Sequence, residues 1–563
     1  MELSDLIQTS QVENVRVHCP FKPPMIGTLC VSSHHLLLCD ASVGDRDKRE
    51  DIAELWLLHC AVDKVEKSVQ NIGRLQNTEN GQEMDVESGS GTVTLRCKDL
   101  RVIHMEIPGM EETLNIARSV QALSSLDIVT LSYPFFFRPP GYSLGHGWPR
   151  DTMENFYHKM RAETDDWRLS EVNLDFKICP SYPAKVIVPR ICSDETLQKA
   201  AAFRQAGRFP VLSYYHSANQ TALLRSAQPL FGTAPHHCKH DEALLNAALM
   251  EQSSGFIIDT RSAQEAKQAR NEGGGTESKS RYRNWRVLHR PLERGHALQD
   301  SLVRLVVTCY DPSIGMTRWL SKLQAARWLS HVKEALSTAG LIAECIEREC
   351  ANVLVHGEDG TDNTLLLTSL AQLILCPESR TMDGFQDLIE REWLQAGHPF
   401  QLRCAQSGWS QSRAQQESPH FLLFLDCCWQ LGRQFPRALE FNERFLCTLA
   451  THAYSSEYGS FLCNNEKERC QYEVQDRTHS LWGHLNQPKE RQQLLNPIYQ
   501  ENPLVIWPSV APQSLQLWAG EASCKIITRY LLYSSCFCMQ VVYSMYTAAE
   551  YFGALDTLSI SSI

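Results

Sequence analysis

Residues 352–367 read NVLVHGEDGTDNTLLL, which is a short apolar run, a compact polar loop and a second apolar run. The first run is typical of a buried strand, and the second, which continues to residue 375, is typical of a buried helix. The loop from Gly357 to Asn363 therefore follows a strand and precedes a helix. Backbone N–H groups converge at such a place, and the helix dipole favours an anion. The loop nevertheless carries three carboxylates and no cation.

The surroundings of this loop favour an α/β domain that begins near residue 126. Longer amphipathic helices alternate there with short apolar strands. The stretch RWLSHVKEALSTAGLIAECI, residues 327–346, predicts a helix because its apolar residues recur at helical spacing. These residues are Leu329, Val332, Leu336, Ala339 and Ala343.

Residues 1–125 have a different texture and favour a small β-barrel or sandwich closed by a helix. Three β-rich runs, 27–39, 54–62 and 92–107, are separated by turn residues, and residues 109–123 predict the closing helix. Residues 76–91 have almost no apolar side chain and predict a mobile loop. Units of this kind more often bind a lipid headgroup or a protein than perform chemistry.

Composition limits the function further. With 563 residues and 43% hydrophobic content the chain is long enough for two or more folded units. A net charge of −11 argues against nucleic acid as a partner, because phosphate backbones need clustered Lys and Arg. The 21 cysteines are scattered and MELSDLIQTS lacks the features of a secretory signal, which together predict a reducing, cytoplasmic location.

The loop and its surroundings resemble the myotubularin family of phosphoinositide phosphatases. The family's loop reads V-H-C-S-D-G-W-D-R-T. The corresponding residues here are Val355, His356, Gly357, Glu358, Asp359, Gly360, Thr361, Asp362, Asn363 and Thr364. Family-like blocks surround the loop in order, and they include FRQAGRFPVLSYYH (203–216), RSAQPLFG (225–232), GFIIDTR (255–261), GGGTES (273–278), GFQDLIEREWLQAGHPFQLRC (384–404) and YGSFLCNNEKER (458–469).

The resemblance implies a multidomain architecture and covers residues 1 to about 520. Residues 1–125 would form a pleckstrin-homology-like GRAM domain, and residues 126–512 a cysteine-dependent phosphatase-like α/β domain. Residues 513–563 would form a divergent tail. Family members usually continue into a coiled coil, but this tail shows no heptad pattern.

Departures from the family's loop predict that the chain is not an enzyme. In the family a Cys thiolate attacks phosphorus and an Arg grips the phosphoryl oxygens. Here Gly357 stands at the Cys position and Asn363 at the Arg position, so both groups are missing. Glu358 replaces a Ser and adds negative charge, while Asp362 aligns with the proposed general acid. We therefore expect no catalytic residues, no metal and no cofactor in this loop.

A structural role is expected for what remains of the loop. Gly357 and Gly360 would keep a tight backbone path, and Asn363 or Thr364 would cap the following helix. A decayed, solvated loop is the favoured interpretation. An alternative is an unconventional hydrolase in which Glu358, Asp359 and Asp362 hold a metal ion or supply a carboxylate nucleophile.

The function that the resemblance implies is that of a regulatory subunit. Such a subunit would pair with active myotubularin-related phosphatases, such as the family's related proteins six, seven and eight. It would raise their activity on phosphatidylinositol 3-phosphate or 3,5-bisphosphate, their stability or their membrane placement. It would lie in the cytoplasm, peripherally on endoplasmic reticulum, perinuclear or endosomal membranes, and would bind phosphoinositide membranes weakly itself. The rival is a partner-independent phosphoinositide-binding module.

Four further motifs have two interpretations each. HHCKHDE (236–242) has zinc-binding residue types but lacks a second pair of ligands, which favours a polar loop. The basic stretch RYRNWRVLHRPLER (281–294) could meet acidic lipid or a partner's acidic face, but a solvated surface is favoured. GGGTES (273–278) favours a tight turn, with a phosphate cradle as the alternative. Residues 530–549 carry no charge, yet their Ser and Tyr content makes them a poor membrane span.

Overall fold

The structure is a computed structural model of the chain. It describes residues 2–18, 24–40, 54–69, 90–126, 128–139, 141, 143–149, 152–231, 237–250, 254–311, 315–405, 407–409 and 416–518. Most of the predicted loop 76–91 and the tail from residue 519 onward lie outside these ranges. No helix in these ranges is long and apolar enough to cross a bilayer.

The amino-terminal part is a curled, seven-stranded antiparallel sheet with the strand order β4-β3-β2-β1-β7-β6-β5. Apolar residues alternate along its strands and one face is buried, as in β6, where every second residue is inaccessible to solvent. A helix, α1, packs on that buried face. The elements are β1 Gln11–His18, β2 Met25–Val31, β3 His35–Asp40, β4 Glu54–Leu58, β5 Val62–Val69, β6 Gly91–Cys97, β7 Val102–Ile107 and α1 Met110–Ser124.

The second part is an α/β unit that starts with short elements and then builds its main sheet. Its first half contains α2 Val129–Ser132, α3 Thr152–Arg161, β8 Trp167–Ser170, β9 Val186–Pro189, α4 Asp194–Ala202, β10 Val211–His216, β11 Thr221–Ser226, α5 Lys239–Ala248, β12 Gly255–Asp259, α6 Ala263–Asn271 and β13 Trp285–His289.

Its second half is almost entirely helical. It contains α7 Gly295–Tyr310, α8 Met316–Ala326, α9 Trp328–Glu347, β14 Asn352–His356, α10 Asn363–Leu375, α11 Met382–Ile389, a π-helical turn Glu390–Leu394, α12 Phe400–Arg403, α13 His420–Gln434, α14 Glu443–Tyr454, α15 Glu466–Gln471, α16 Val474–Arg477, α17 Leu481–Leu485 and α18 Pro488–Leu494.

The main sheet has five strands in the order β10-β11-β14-β12-β13. β14 lies in the centre, parallel to β11 on one side and to β12 on the other. All five residues of β14 are buried, and so are all thirteen residues of α10, the helix that follows it. Because the carboxyl ends of parallel strands meet at one edge, the loop between β14 and α10 lies at the centre of that edge.

Several sequence predictions for elements are confirmed. The predicted helix 327–346 is α9, the predicted helix 109–123 is α1, and the strand and helix flanking the loop are β14 and α10. The residues GGGTES lie between α6 and β13, but only Gly273 is in a turn, and residues 274–278 form an irregular connection instead of the predicted tight turn. Strand β1 was not predicted, because its polar residues outnumber its buried ones. The kinship of the amino-terminal sheet with GRAM domains stays a prediction.

The two parts are joined by polar contacts and by a shared apolar residue. Asp63 accepts hydrogen bonds from the backbone N–H and hydroxyl of Ser407 at 3.1 and 2.8 Å. The Cys60 thiol lies 3.2 Å from the hydroxyl of Ser455, and Leu100 belongs to the core of the α/β part. The amino-terminal sheet therefore packs against the helical side of the α/β unit.

Candidate functional site

The loop after β14 is held between the ends of the two neighbouring strands. The N–H of Thr260, just after β12, donates to the carbonyl of His356 at 2.9 Å. The N–H of Gln228, just after β11, donates to the carbonyl of Glu358 at 3.2 Å. These two bonds attach the start of the loop to the segments that follow β12 and β11, and so fix the path of the loop.

Gly360 is required by this path. Its φ is +68°, in the left-handed region, and a Cβ there would lie 2.3 Å from the carbonyl oxygen of Ser226. The buried guanidinium of Arg208 donates to the carbonyl of Gly360 at 2.8 Å and stabilises the turn. The predicted role of Gly360 is therefore confirmed by its geometry.

Gly357 is constrained in a different way, because its backbone is not left-handed. A Cβ at this position would lie 2.5 Å from the Thr260 hydroxyl oxygen, well inside van der Waals contact. The Thr260 side chain thus fills the space in which a side chain at 357 would begin. Any larger residue at 357 requires the Thr260 hydroxyl to move.

Asp362, which the resemblance aligns with a general acid, pairs with Arg403 and lies beside the buried ring of His398. Arg403 donates to both of its carboxylate oxygens, with Nη2 at 2.9 Å from Oδ2, and Nδ1 of His398 lies 3.2 Å from Oδ1. Burial alone would raise the pKa of Asp362, but His420, His398 and Arg403 hold it well below its usual range. A carboxylate held in this way retains its charge and does not readily supply a proton.

Asn363 does not cap the helix, so this prediction was wrong. It is the first residue of α10, and Asp362 stands at the N-cap without a capping side-chain bond. The Asn363 amide nitrogen donates to the carbonyls of Leu292 and Glu293 at 3.2 and 3.3 Å. Its oxygen therefore faces Nε2 of His420 at 2.9 Å, and Nε2 carries the proton. The Asn363 side chain thus links the start of α10 to residues 292–293 and to the start of α13.

Thr364 does not cap the helix either. Its hydroxyl is buried and has no hydrogen-bond partner among the described residues, while its N–H donates to the carbonyl of Thr361 at 2.9 Å. Most of the loop is buried or half-buried, and only Asp359 is exposed. The expectation of a solvated loop was therefore wrong, because residues from several distant segments of the chain enclose the loop.

The acidic charge of the loop is offset by arginines from distant segments. Arg294 forms an ion pair with Glu358, and Arg403 does so with Asp362. Arg294 belongs to the basic stretch 281–294, so the end of that stretch is not a purely solvated surface. For Asp359, reduced hydration and then the charges of Glu358 and Asp362 raise the pKa.

A buried charge network that sequence reasoning missed lies directly beneath the loop. Nε2 of His356 lies 2.9 Å from Glu277, and Arg204 donates to the other oxygen of Glu277 at 2.7 Å. Arg204 also binds both oxygens of Asp241, which accepts from the Tyr282 hydroxyl as well. The resemblance placed His356 and Glu277 in family-like blocks, but nothing in the sequence indicated that they meet.

The backbone of residues 358–363, called the cradle below, presents a set of N–H groups at the amino end of α10. The N–H groups of residues 358–363 have no acceptor among the residues that the structure describes. They stand at the amino end of α10, whose thirteen residues give a helix dipole directed at the same point. The cradle thus offers backbone donors to an anion, while Glu358, Asp359 and Asp362 place negative charge around it.

Comparison with known proteins shows to which family the chain belongs. Residues 132–470 match the model of the myotubularin-like phosphatase domain. The chain belongs to the myotubularin family. It is 56% identical over 524 residues to myotubularin-related protein 9-like of Bos taurus, which covers 92% of each chain.

More distant myotubularins are also similar along most of the chain. The human myotubularin-related protein 9 is 51% identical over 520 residues, which are 92% of this chain and 90% of that protein. The human phosphatidylinositol-3-phosphate phosphatase MTMR7 is 33% identical over 501 residues, which are 88% of this chain and 72% of that protein. The family thus includes a relative named as a phosphatase and relatives whose names state no activity.

The cluster HHCKHDE shows no metal-binding geometry in the part that the structure describes. His236 lies outside the described residues, whereas His237, Cys238 and His240 lie inside them. No group of three or more His, Cys, Asp and Glu that could hold a metal ion is found among the described residues.

Acid is expected to destabilise the loop through His420. Burial lowers the pKa of His420 to about 4, below the value of 6.5 for a free histidine. Its contribution to stability is therefore present above pH 6.5 and is lost as the pH falls toward 4. We expect His420→Gln to reduce the pH dependence of the unfolding free energy by about 1 kcal/mol per pH unit between pH 6 and 4.5.

Urea denaturation across that pH range measures the effect. His158→Gln, at an exposed position on α3, is the control and should leave the slope unchanged. An identical slope in wild type and His420→Gln would contradict the assignment of a neutral, buried His420.

Proposed function

We propose that this myotubularin has no phosphatase activity and acts as a regulatory subunit of active family members. The observation that carries the proposal is that three positions of the family's catalytic loop have structural roles here. Gly357 packs against Thr260, Asn363 bridges His420 and two backbone carbonyls, and Asp362 is held by Arg403. No side chain at 357 or 363 can attack or grip a phosphoryl group.

The unconventional hydrolase is a weaker candidate on the same geometry. Glu358 is engaged by Arg294 and Asp362 by Arg403, so two of the three carboxylates already have cationic partners. The third, Asp359, points to solvent at the rim. A metal-dependent site needs carboxylates that converge on one ion. Here one carboxylate pairs with Arg294, one pairs with Arg403 and one is exposed to solvent.

The retained scaffold supports a role in assembly. A buried network such as that of Arg204, Glu277 and His356 maintains the phosphatase fold even though the catalytic groups are replaced. A fold kept without its chemistry offers a surface that a catalytic relative can recognise. We propose residues 1–125 as a GRAM-like unit and residues 126–512 as the phosphatase-like unit of that surface.

Co-expression with an active relative tests the regulatory role. The phosphatidylinositol-3-phosphate phosphatase MTMR7 is a suitable partner, and we expect the two chains to co-elute from a size-exclusion column. We expect its turnover of phosphatidylinositol 3-phosphate or 3,5-bisphosphate to rise several-fold in the complex. As a control, the partner with its catalytic cysteine replaced by serine should form the same complex without turnover. Separate elution with unchanged turnover would count against the proposal.

Vesicle co-sedimentation of the full chain distinguishes the rival module. Strong, headgroup-selective binding to phosphatidylinositol 3-phosphate vesicles without any partner would favour a partner-independent phosphoinositide reader. We propose weak binding by the isolated chain, and placement in the cytoplasm on endomembranes through the active partner. Imaging of the chain in cells with and without the partner tests that placement.

A further inference from the structure

The five-stranded sheet has an open edge at β13. Among the strands that the structure describes, β13 pairs with β12 only, and it is the last strand in the sheet order. The N–H of Gly255 donates to Asn284 at 2.9 Å, and the N–H of Arg290 donates to Asp259 at 2.8 Å. Residues 284, 286, 288 and 290 therefore bond to β12, and the alternate residues Val287 and His289 turn their backbone groups outward.

The outward backbone groups have no hydrogen-bond partner in the part of the chain that the structure describes. Neither the N–H nor the C=O of Val287 or His289 is bonded to another described residue. An edge strand with unpaired groups is a template for an additional strand. The length of β13, from Trp285 to His289, is sufficient for one short added segment.

The same edge carries a run of exposed cations in a chain whose net charge is −11. None of the five exposed cationic side chains on this edge forms an ion pair with another described residue. Arg294, by contrast, pairs with Glu358. Arg286 and Arg290 flank Leu288 on one face of the strand. The exposed cationic residues are Lys279, Arg281, Arg283, Arg286 and Arg290.

We propose that β13 receives an extended acidic segment of a partner protein as a sixth strand of this sheet. The backbone of that segment would bond to Val287 and His289, and its carboxylates would pair with Arg286 and Arg290. A membrane surface is disfavoured because none of the large exposed apolar side chains lies between residues 279 and 294. Lipid headgroups also cannot bond in register with the outward backbone groups.

The location of this edge gives the contact a consequence for the loop. β13 is followed directly by the segment in which Leu292 and Glu293 bind Asn363 and Arg294 binds Glu358. A strand added to β13 would therefore stiffen the segment that closes one side of the cradle. This inference goes beyond the regulatory role, because it names a second contact surface that does not depend on which catalytic relative binds.

Peptide binding to the full chain tests the proposal. The probe is a blocked, fluorescent peptide of about ten residues that alternates Glu with Val, and binding is measured by anisotropy. Val287→Pro removes an outward N–H, together with part of the valine's packing, at an orientation where an edge strand tolerates proline. We expect this variant, and separately the pair Arg286→Glu and Arg290→Glu, to weaken binding at least about tenfold.

Matched controls separate strand addition from general attraction. Val287→Ala keeps the N–H while removing packing, and Arg118→Glu changes an exposed arginine on α1; both should bind the probe as wild type does. Equal binding by Val287→Pro and wild type would overturn strand addition and leave only charge attraction. Binding to phosphatidylserine vesicles but not to the peptide would overturn the proposal in favour of lipid, and no binding to either would overturn it outright.

Discussion

Purified wild-type chain is expected to release no phosphate from phosphatidylinositol 3-phosphate, and the double variant Gly357→Cys/Asn363→Arg is expected to remain inactive. The first result follows from the missing nucleophile, since loss of a nucleophile alone costs on the order of 10⁶ in turnover in covalent enzymes. The second result follows from the contacts that Gly357 and Asn363 make with their surroundings.

Three contacts oppose restoration of activity. A Cβ at 357 would lie 2.5 Å from the Thr260 hydroxyl, so the introduced thiol would start from a displaced backbone or a rotated Thr260. An arginine at 363 would lose the bonds to Leu292 and Glu293 and would set its charge against the N–H of His420. The general-acid position remains occupied by Asp362, whose low pKa and ion pair with Arg403 disfavour proton donation.

Phosphate release, with an active relative measured in parallel, tests this prediction. Adding Thr260→Ala to the double variant removes the closest obstacle, and we expect it to speed alkylation of the introduced thiol, which mass spectrometry of the loop peptide can follow. Turnover by the double variant within about a hundredfold of the active relative would contradict the account. Turnover by the wild-type chain would contradict the proposed absence of activity itself.

Arg204→Met is expected to produce the largest loss of stability among single substitutions near the loop. The Arg204 side chain is fully buried and forms ion pairs with Asp241 and Glu277, each at 2.7 Å. Removing the cation leaves two carboxylates buried without their main partner. Breaking a buried pair in this way costs about 3–5 kcal/mol.

The effect should extend to the loop itself. A carboxylate oxygen of Glu277 lies 2.9 Å from Nε2 of His356. Burial lowers the pKa of His356, but the negative charges of Glu277 and Asp259 outweigh burial, so the pKa of His356 is raised. With Arg204 removed, Glu277 depends on His356 for charge compensation. The raised pKa means that this stabilisation is complete below pH 6.5 and declines as the pH rises through the folded value, so Arg204→Met should be more damaging in alkali.

Chemical denaturation of wild type and variants measures the loss. Arg168→Met is the matched control, because Arg168 pairs with Asp194 while both side chains remain partly exposed, at 25% and 53%; such pairs contribute up to about 1 kcal/mol. The triple variant Arg204→Met/Asp241→Asn/Glu277→Gln removes the unpaired charges and should recover part of the stability. Equal stability of Arg204→Met and Arg168→Met would contradict a buried network beneath the loop.

Local patterns were sufficient to predict the elements that flank the loop. The apolar run before Gly357 and the longer one after Asn363 have the lengths and residue types of a buried strand and a buried helix, and both form as predicted. Short and weakly alternating segments such as β1 were missed, because pairing with β2 and β7 decides their structure.

The sequence alone therefore determined the family, the strand–loop–helix unit and the replacement of the Cys and Arg by Gly357 and Asn363. Only the tertiary structure decided what Asp362 and Asn363 do, because the residues that they contact come from remote positions in the chain. Arg403 lies 41 residues from Asp362, and His420 lies 57 residues from Asn363. Pairing between such positions depends on how the helices pack around the sheet, and no local periodicity or propensity encodes it.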